Sequence, residues 1–73
     1  MTTELKLTLR QQQCLYWSWE GKTAPWIATK LNVSTKTVNF HLQELYIKLQ
    51  CTNKIEACRI ALYFKLITPN MFK

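Results

Sequence analysis

Ser34, Thr35, Lys36 and Thr37 stand at the head of an apolar-periodic run, TVNFHLQELYIKL, which continues to Leu49. Ser34 is a good N-cap, so the first turn of a helix beginning at Thr35 presents unpaired backbone N–H groups and the positive end of the helix dipole. With a lysine and two threonines beside it, such an end suits a phosphate. Laid out at about 100° per residue, Val38, Leu42, Leu45, Tyr46 and Leu49 share one side, the stripe a helix packs onto a small core. Lys36, Asn39, Phe40, Gln43 and Ile47 share the other. That largely polar face is one the core does not need, and it is where function is expected.

The elements that must position this face are short helices. Thr8 and Gln11 form a capping box for a first helix running to about Trp19, with Cys14, Leu15 and Ser18 as its inner stripe, widened by Trp17. Gly21, the only glycine, falls where a left-handed C-terminal cap is needed. Thr23 caps a second helix with Pro25 in its first turn, and Ile27, Ala28 and Leu31 face the core. Asn32, Val33 and Ser34 make the turn into the third helix, Asn32 taking a positive φ. A break at residues 50–52 precedes a fourth helix, capped by Thr52 or Asn53 and running to about Ile67 before Pro69. Its inner face is expected to be Ala57, Ile60, Ala61, Phe64 and Ile67. Its outer face is expected to be Ile55, Cys58, Leu62 and Leu66, with part of Tyr63. A domain this small covers one of those faces, so the outer one should meet a second copy of the chain.

Composition agrees with this plan. The 73 residues allow one domain, 1–73, and 48% hydrophobic residues with three each of Trp, Tyr and Phe argue against disorder. One Gly and two Pro leave little room for strands joined by tight turns, so the fold class is all-α, a four-helix domain. Ten Lys and Arg against four acidic residues give a net charge of +6, spread along the chain, which favours a polyanion as partner. No apolar run approaches the roughly 18 residues that span a bilayer, and the Met-Thr-Thr-Glu start lacks the apolar core of a signal peptide. The expected location is cytoplasmic, with no membrane partner.

Catalytic and metal chemistry find no support. Cys14, Cys51 and Cys58 are odd in number, never at CxxC spacing and accompanied by one histidine, so neither a disulfide framework nor a zinc site follows. They read as reduced packing residues, with Cys58, at the margin of the outer face, more accessible than Cys14. His41 reads as a hydrogen-bonded structural or phosphate-facing histidine. With no glycine-rich phosphate loop, acidic pair or nucleophile constellation, no enzyme activity, cofactor or metal is expected.

Helix, short turn, helix is the helix-turn-helix arrangement. The residues carrying it, LTLRQQQCL (7–15), GKT (21–23), IATKLNVSTKTVNFHL (27–42), KL (48–49) and NKIEA (53–57), resemble in order and spacing the LuxR/GerE-type DNA-binding domain of bacterial transcription regulators. The resemblance covers about residues 7–67, and TVNFHL followed by KL and NK is most similar to the quorum-sensing branch. It implies four helices, residues 35–49 as a recognition helix in the major groove of double-stranded DNA, and the fourth helix as a homodimer contact. Carried over by position, it implies base contacts from Asn39, Phe40 and Gln43. It implies phosphate contacts from Lys30, Ser34, Lys36, Thr37 and Lys54, while the outer apolar face of the fourth helix makes Ile55, Cys58, Leu62 and Leu66 the expected dimer contacts. RNA polymerase and a longer LuxR-type regulator are the other partners it allows.

The chain departs from the family pattern in places. Glu is usual at the positions of Gln11, Gln13 and Trp26, a small residue at Trp19, and Gly at Gln50. Losing the acids fits polyanion binding, while an exposed Trp26 equally fits a protein-contact surface. Nothing before residue 7 corresponds to the sensing domain of most relatives, so a free-standing regulator and the C-terminal part of a longer one both remain open. Two functions follow: a sequence-specific DNA-binding transcription regulator acting as a homodimer, or a protein-interaction module or antagonist that heterodimerises with a longer relative.

Overall fold

The computed structural model describes residues 6–73, so the Met-Thr-Thr-Glu segment lies outside it. Four helices follow in order: α1 (Leu9–Trp19), α2 (Ala24–Leu31), α3 (Thr35–Lys48) and α4 (Lys54–Tyr63). Each starts where a side-chain oxygen satisfies an amide of the first turn. Thr8 accepts from Gln11 N–H at 3.1 Å while the Gln11 side chain accepts from Thr8 N–H at 3.0 Å, the reciprocal box expected from the sequence. Thr23, Ser34 and Asn53 cap α2, α3 and α4 in the same way.

The four helices also end alike. In each, a residue in the left-handed region follows the last turn: Gly21 (φ 93°), Asn32 (φ 59°), Gln50 (φ 54°) and Lys65 (φ 59°). The next amide then reaches back five residues, as in Lys22 N–H to Trp17 O, Val33 N–H to Ala28 O, Cys51 N–H to Tyr46 O and Leu66 N–H to Ala61 O. This is the Schellman arrangement, and it consumes carbonyls that the helix leaves orphaned. Only one of the four positions is a glycine. A side chain in the left-handed region costs about 1–2 kcal/mol, part of which glycine would return through a more flexible unfolded chain. Gln50→Gly is therefore expected to stabilise the fold by about 0.5–1 kcal/mol, a rise in Tm of roughly 3–6 °C in a thermal melt.

Leu15, Tyr16, Ile27, Val38, Leu45, Cys14 and Ile67 are fully enclosed at the centre, where α1 packs on the other three helices. The expected inner stripes of α1, α2 and α3 all face this core, with Leu31, Leu42 and Tyr46 at its edge.

The fourth helix differs from its sequence reading. It stops at Tyr63 rather than near Ile67, because the turn at Lys65 swings the chain back over α1. That turn buries Ile67 and places the Leu66 carbonyl 3.1 Å from Gln12 Nε2, which donates to it. The faces shift accordingly. Phe64, expected inside, is 53% exposed, and Cys58, expected on the outer face, is 8% exposed and belongs to the core. Leu62 is half-buried against the core, and Leu66 is half-buried beyond the helix end. Beyond the turn, Phe72 packs edge-on against Tyr16 with ring centres 5.4 Å apart. The Tyr16 hydroxyl donates to Glu20 Oε2 at 3.0 Å, and Lys73 Nζ pairs with Glu20 Oε1 at 3.1 Å. Lys73 foremost, then Tyr16, holds the Glu20 carboxyl below its usual range.

All three thiols are free and buried, and burial above all pushes each of them up from the ordinary cysteine value. In the folded protein, alkylation is expected to be slow at every cysteine and slowest at the fully enclosed Cys14. Mass spectrometry after a timed iodoacetamide pulse, with urea-unfolded protein as the fast reference, checks this.

Candidate nucleic-acid interface

The α2–turn–α3 unit is rigid at its corner and open on one side. Asn32 takes the left-handed conformation that the tight bend requires, and Ser34 follows in extended conformation as the cap of α3. Ser34 Oγ accepts the Thr37 amide at 3.0 Å, and the Ser34 and Thr37 hydroxyls are hydrogen-bonded at 2.8 Å. The first intrahelical bond of α3 is Val38 N–H to Ser34 O at 3.1 Å, so the Thr35 and Lys36 amides precede the ladder and point out of the helix end.

From that end, Lys36, Asn39, Phe40, Gln43 and Ile47 rise along the exposed side of α3. Phe40 is 60% exposed, and its ring lies edge-on to half-buried His41 at 5.9 Å. Behind them Val38, Leu45 and Leu49 are buried. The far end of α3 is pinned to the start of α1: Lys48 Nζ donates to Gln11 Oε1 at 3.0 Å and to the Lys6 carbonyl at 3.2 Å. The helix is therefore fixed by core packing along its length and by a cap or a tether at each end, leaving its polar side chains free to meet a groove.

The structure thus brings Ser34, Lys36, Thr37, Asn39, Phe40 and Gln43 onto one contiguous surface. The other two lysines assigned to phosphates belong to the neighbouring helices α2 and α4. Lys30 sits on α2 with its ammonium 5.5 Å from the centre of the Trp17 ring, and Lys54 opens α4. Of the residues assigned to a dimer contact, Ile55 is open, Leu62 and Leu66 are half-buried, and Cys58 is buried. The exposed side of α4 is Lys54, Ile55, Glu56, Arg59 and Tyr63, continued by Phe64, while Ile55, Cys58 and Leu62 line one shallow depression with Trp19 of α1.

Two contacts had no reading in the sequence. The Gln11–Lys48 tether joins residues 37 positions apart. The tilted packing of Trp17 against Trp26, ring centres 5.2 Å apart, depends on how α1 crosses α2. Among the described residues, no three His, Cys, Asp or Glu side chains gather as a metal site, and no helix is long and apolar enough to cross a membrane.

A four-helix unit with a capped, outward-facing third helix is the architecture of a helix-turn-helix DNA-binding domain. The family described as "Bacterial regulatory proteins, luxR family" matches residues 5–61, and the chain belongs to it. Similar relatives include the transcriptional activator protein SolR of Ralstonia nicotianae, 44% identical over 61 residues, covering 84% of this chain and 26% of that protein. The regulatory protein SdiA of Escherichia coli is 40% identical over 62 residues, covering 84% and 26%. In a crystal structure of Escherichia coli SdiA the likeness extends over 93% of this chain and 29% of that one, with a TM-score of 0.82 and 37% identity. The phage VqmA–DPO complex matches over 99% and 34%, with a TM-score of 0.76 and 27% identity. The chain spans about a quarter of the length of these curated relatives. It is a LuxR-type helix-turn-helix domain.

Proposed function

We propose that this chain binds specific DNA sequences as a transcription regulator, with α3 in the major groove and two copies paired through α4. The observation that carries the reading is the exposed row Lys36, Asn39, Phe40 and Gln43 beside the Ser34-capped helix end. The end and its lysine neutralise phosphate, which sets affinity and register. Asn39 and Gln43 each offer a carboxamide donor and acceptor to a base edge, and Phe40 offers an apolar contact to a thymine methyl. The names of the relatives, transcriptional activator and regulatory protein among them, support transcription as the process.

Pairing through α4 is argued from its outward side, where Ile55, Tyr63 and Phe64 are exposed and a second copy would bury them isologously. Selection from a randomised duplex pool tests both parts. The enriched sequences are expected to carry two half-sites about 10 base pairs apart, one helical turn. Ile55→Glu is expected to reduce the requirement to one half-site while leaving the helical signal intact. A pool that gains no consensus would overturn sequence-specific binding. A consensus that Ile55→Glu leaves unchanged would overturn the α4 pairing.

A further inference from the structure

The exposed side of α3 is not wholly polar. Phe40 is 60% exposed and Ile47 71% exposed, and both stand among Lys36, Asn39 and Gln43 rather than on the buried stripe of Val38, Leu45 and Leu49. A single apolar side chain in water is ordinary. Phe40 differs in its company and its position. It follows Asn39 directly and precedes Gln43 by three residues, so it shares a turn with both carboxamides. It lies in the second turn of α3, and the N-terminal turns are the ones that meet base edges in helix-turn-helix complexes. Its ring is edge-on to half-buried His41, centres 5.9 Å apart, an aromatic contact that limits its freedom before any duplex arrives. Ile47 stands about two turns further along, away from that end.

Resting on the reading of α3 as the helix that meets base edges, we propose that Phe40 selects a pyrimidine carrying a methyl group at C5, thymine or 5-methylcytosine alike, so that cytosine methylation changes which duplexes this domain prefers. The base edges in the major groove are hydrogen-bond donors and acceptors, with the C5 methyl of thymine as their one apolar group. A ring pressed on a donor or acceptor strips it of water and gives no hydrogen bond in return. Against a methyl, both apolar surfaces leave water together. The methyl of 5-methylcytosine sits on the same ring carbon. In the groove the two bases differ only at position 4, where thymine has an oxygen acceptor and cytosine an amino donor. A carboxamide offers both a donor and an acceptor, so Asn39 or Gln43 meets either group by turning its amide over. Phe40 therefore reads the methyl, and the neighbouring carboxamides do not reverse that reading when the base is cytosine.

The test uses the wild-type chain, Phe40→Ala, Phe40→Leu and Ile47→Ala, with the duplex enriched from the randomised pool. Each thymine is replaced in turn by deoxyuridine, which removes the methyl and keeps the hydrogen-bonding edge. At one thymine of each half-site the wild type is expected to lose about fourfold in affinity, the value of one buried methyl. Phe40→Ala should bind thymine and uracil alike there, Phe40→Leu should keep part of the difference, and Ile47→Ala should keep all of it. Such a cycle ties the methyl to the one ring. The same position is then changed to cytosine and to 5-methylcytosine, each paired with guanine. Methylation is expected to raise wild-type affinity about fourfold over unmodified cytosine and to leave Phe40→Ala unmoved. Phe40→Ala removes a side chain that lies mostly in water, so its fold should be intact, which far-UV circular dichroism checks before titration. Uracil bound as well as thymine at every position, a difference that survives Phe40→Ala, or 5-methylcytosine bound no better than cytosine would each overturn the proposal. A pool that yields no consensus overturns the reading of α3 and this proposal together, whereas a consensus indifferent to uracil overturns this proposal alone.

Discussion

Alanine at Asn39 or Gln43 is expected to cost about 1–3 kcal/mol of binding to the preferred duplex and almost nothing on unrelated duplexes. Each carboxamide stands exposed on the side of α3 away from the core, so its removal leaves a base edge without a partner and the fold untouched. Lys36→Ala should behave differently. In the proposed complex its ammonium meets phosphates, which every sequence has, so all duplexes should weaken alike and the salt slope should fall by about 1. Fluorescence anisotropy of the selected and a scrambled duplex separates the two patterns. Equal loss on both duplexes for Asn39→Ala and Gln43→Ala would mean that the carboxamides contact the backbone.

Leu45→Ala is expected to cost about 2–5 kcal/mol of folding free energy. Leu45 is fully enclosed on the inner side of α3, and truncating it leaves a cavity at the point where α3 is anchored. A domain of this size holds on the order of 4–10 kcal/mol in total, so a substantial part of the protein should be unfolded at 37 °C. Phe40→Ala, five residues earlier on the same helix, should change stability by no more than about 0.5 kcal/mol, since most of the ring is already in water. Urea unfolding followed by far-UV circular dichroism measures both. A large loss in Phe40→Ala with little in Leu45→Ala would reverse the assignment of the two faces of α3.

How far the chain could be read depended on whether a signal was local. Helix starts were legible because Thr8, Thr23, Ser34 and Asn53 are residue types that cap by themselves. Two ends were legible for the same reason, since Gly21 and Asn32 are residues that accept positive φ. Gln50 lies at a foreseen break, but nothing in its side chain announces a left-handed turn, and Lys65 gives no sign of one at all. The cost of missing Lys65 was the misreading of α4. Continued helical spacing through Phe64 and Ile67 put both on one inner face. In the fold the chain leaves the helix between them, and one is exposed while the other is enclosed.

The polar row of α3 was legible because both it and the stripe opposite lie within one uninterrupted helix, where about 100° per residue suffices to separate them. Surfaces assembled across helices were not. The tilted Trp17–Trp26 pair with its two lysines and the Lys48–Gln11 tether each need the crossing geometry of two elements, which periodicity within one element does not contain. The DNA-facing role proposed for α3 comes from the family resemblance. Lys30 and Lys54 were carried over by the same resemblance, and they stand on α2 and α4 rather than on α3.

The central claim is that the exposed row of α3 carries DNA binding. Its most direct measurement is a titration of the selected and a random duplex, at two salt concentrations, with the wild-type chain and a Lys36→Ala, Asn39→Ala, Gln43→Ala triple variant. The wild type should prefer the selected duplex and bind both duplexes more weakly as salt rises. The variant should lose the preference, and what binding remains should be weaker with a smaller salt slope. Equal affinity of wild type and variant for every duplex at both salt concentrations would contradict the account.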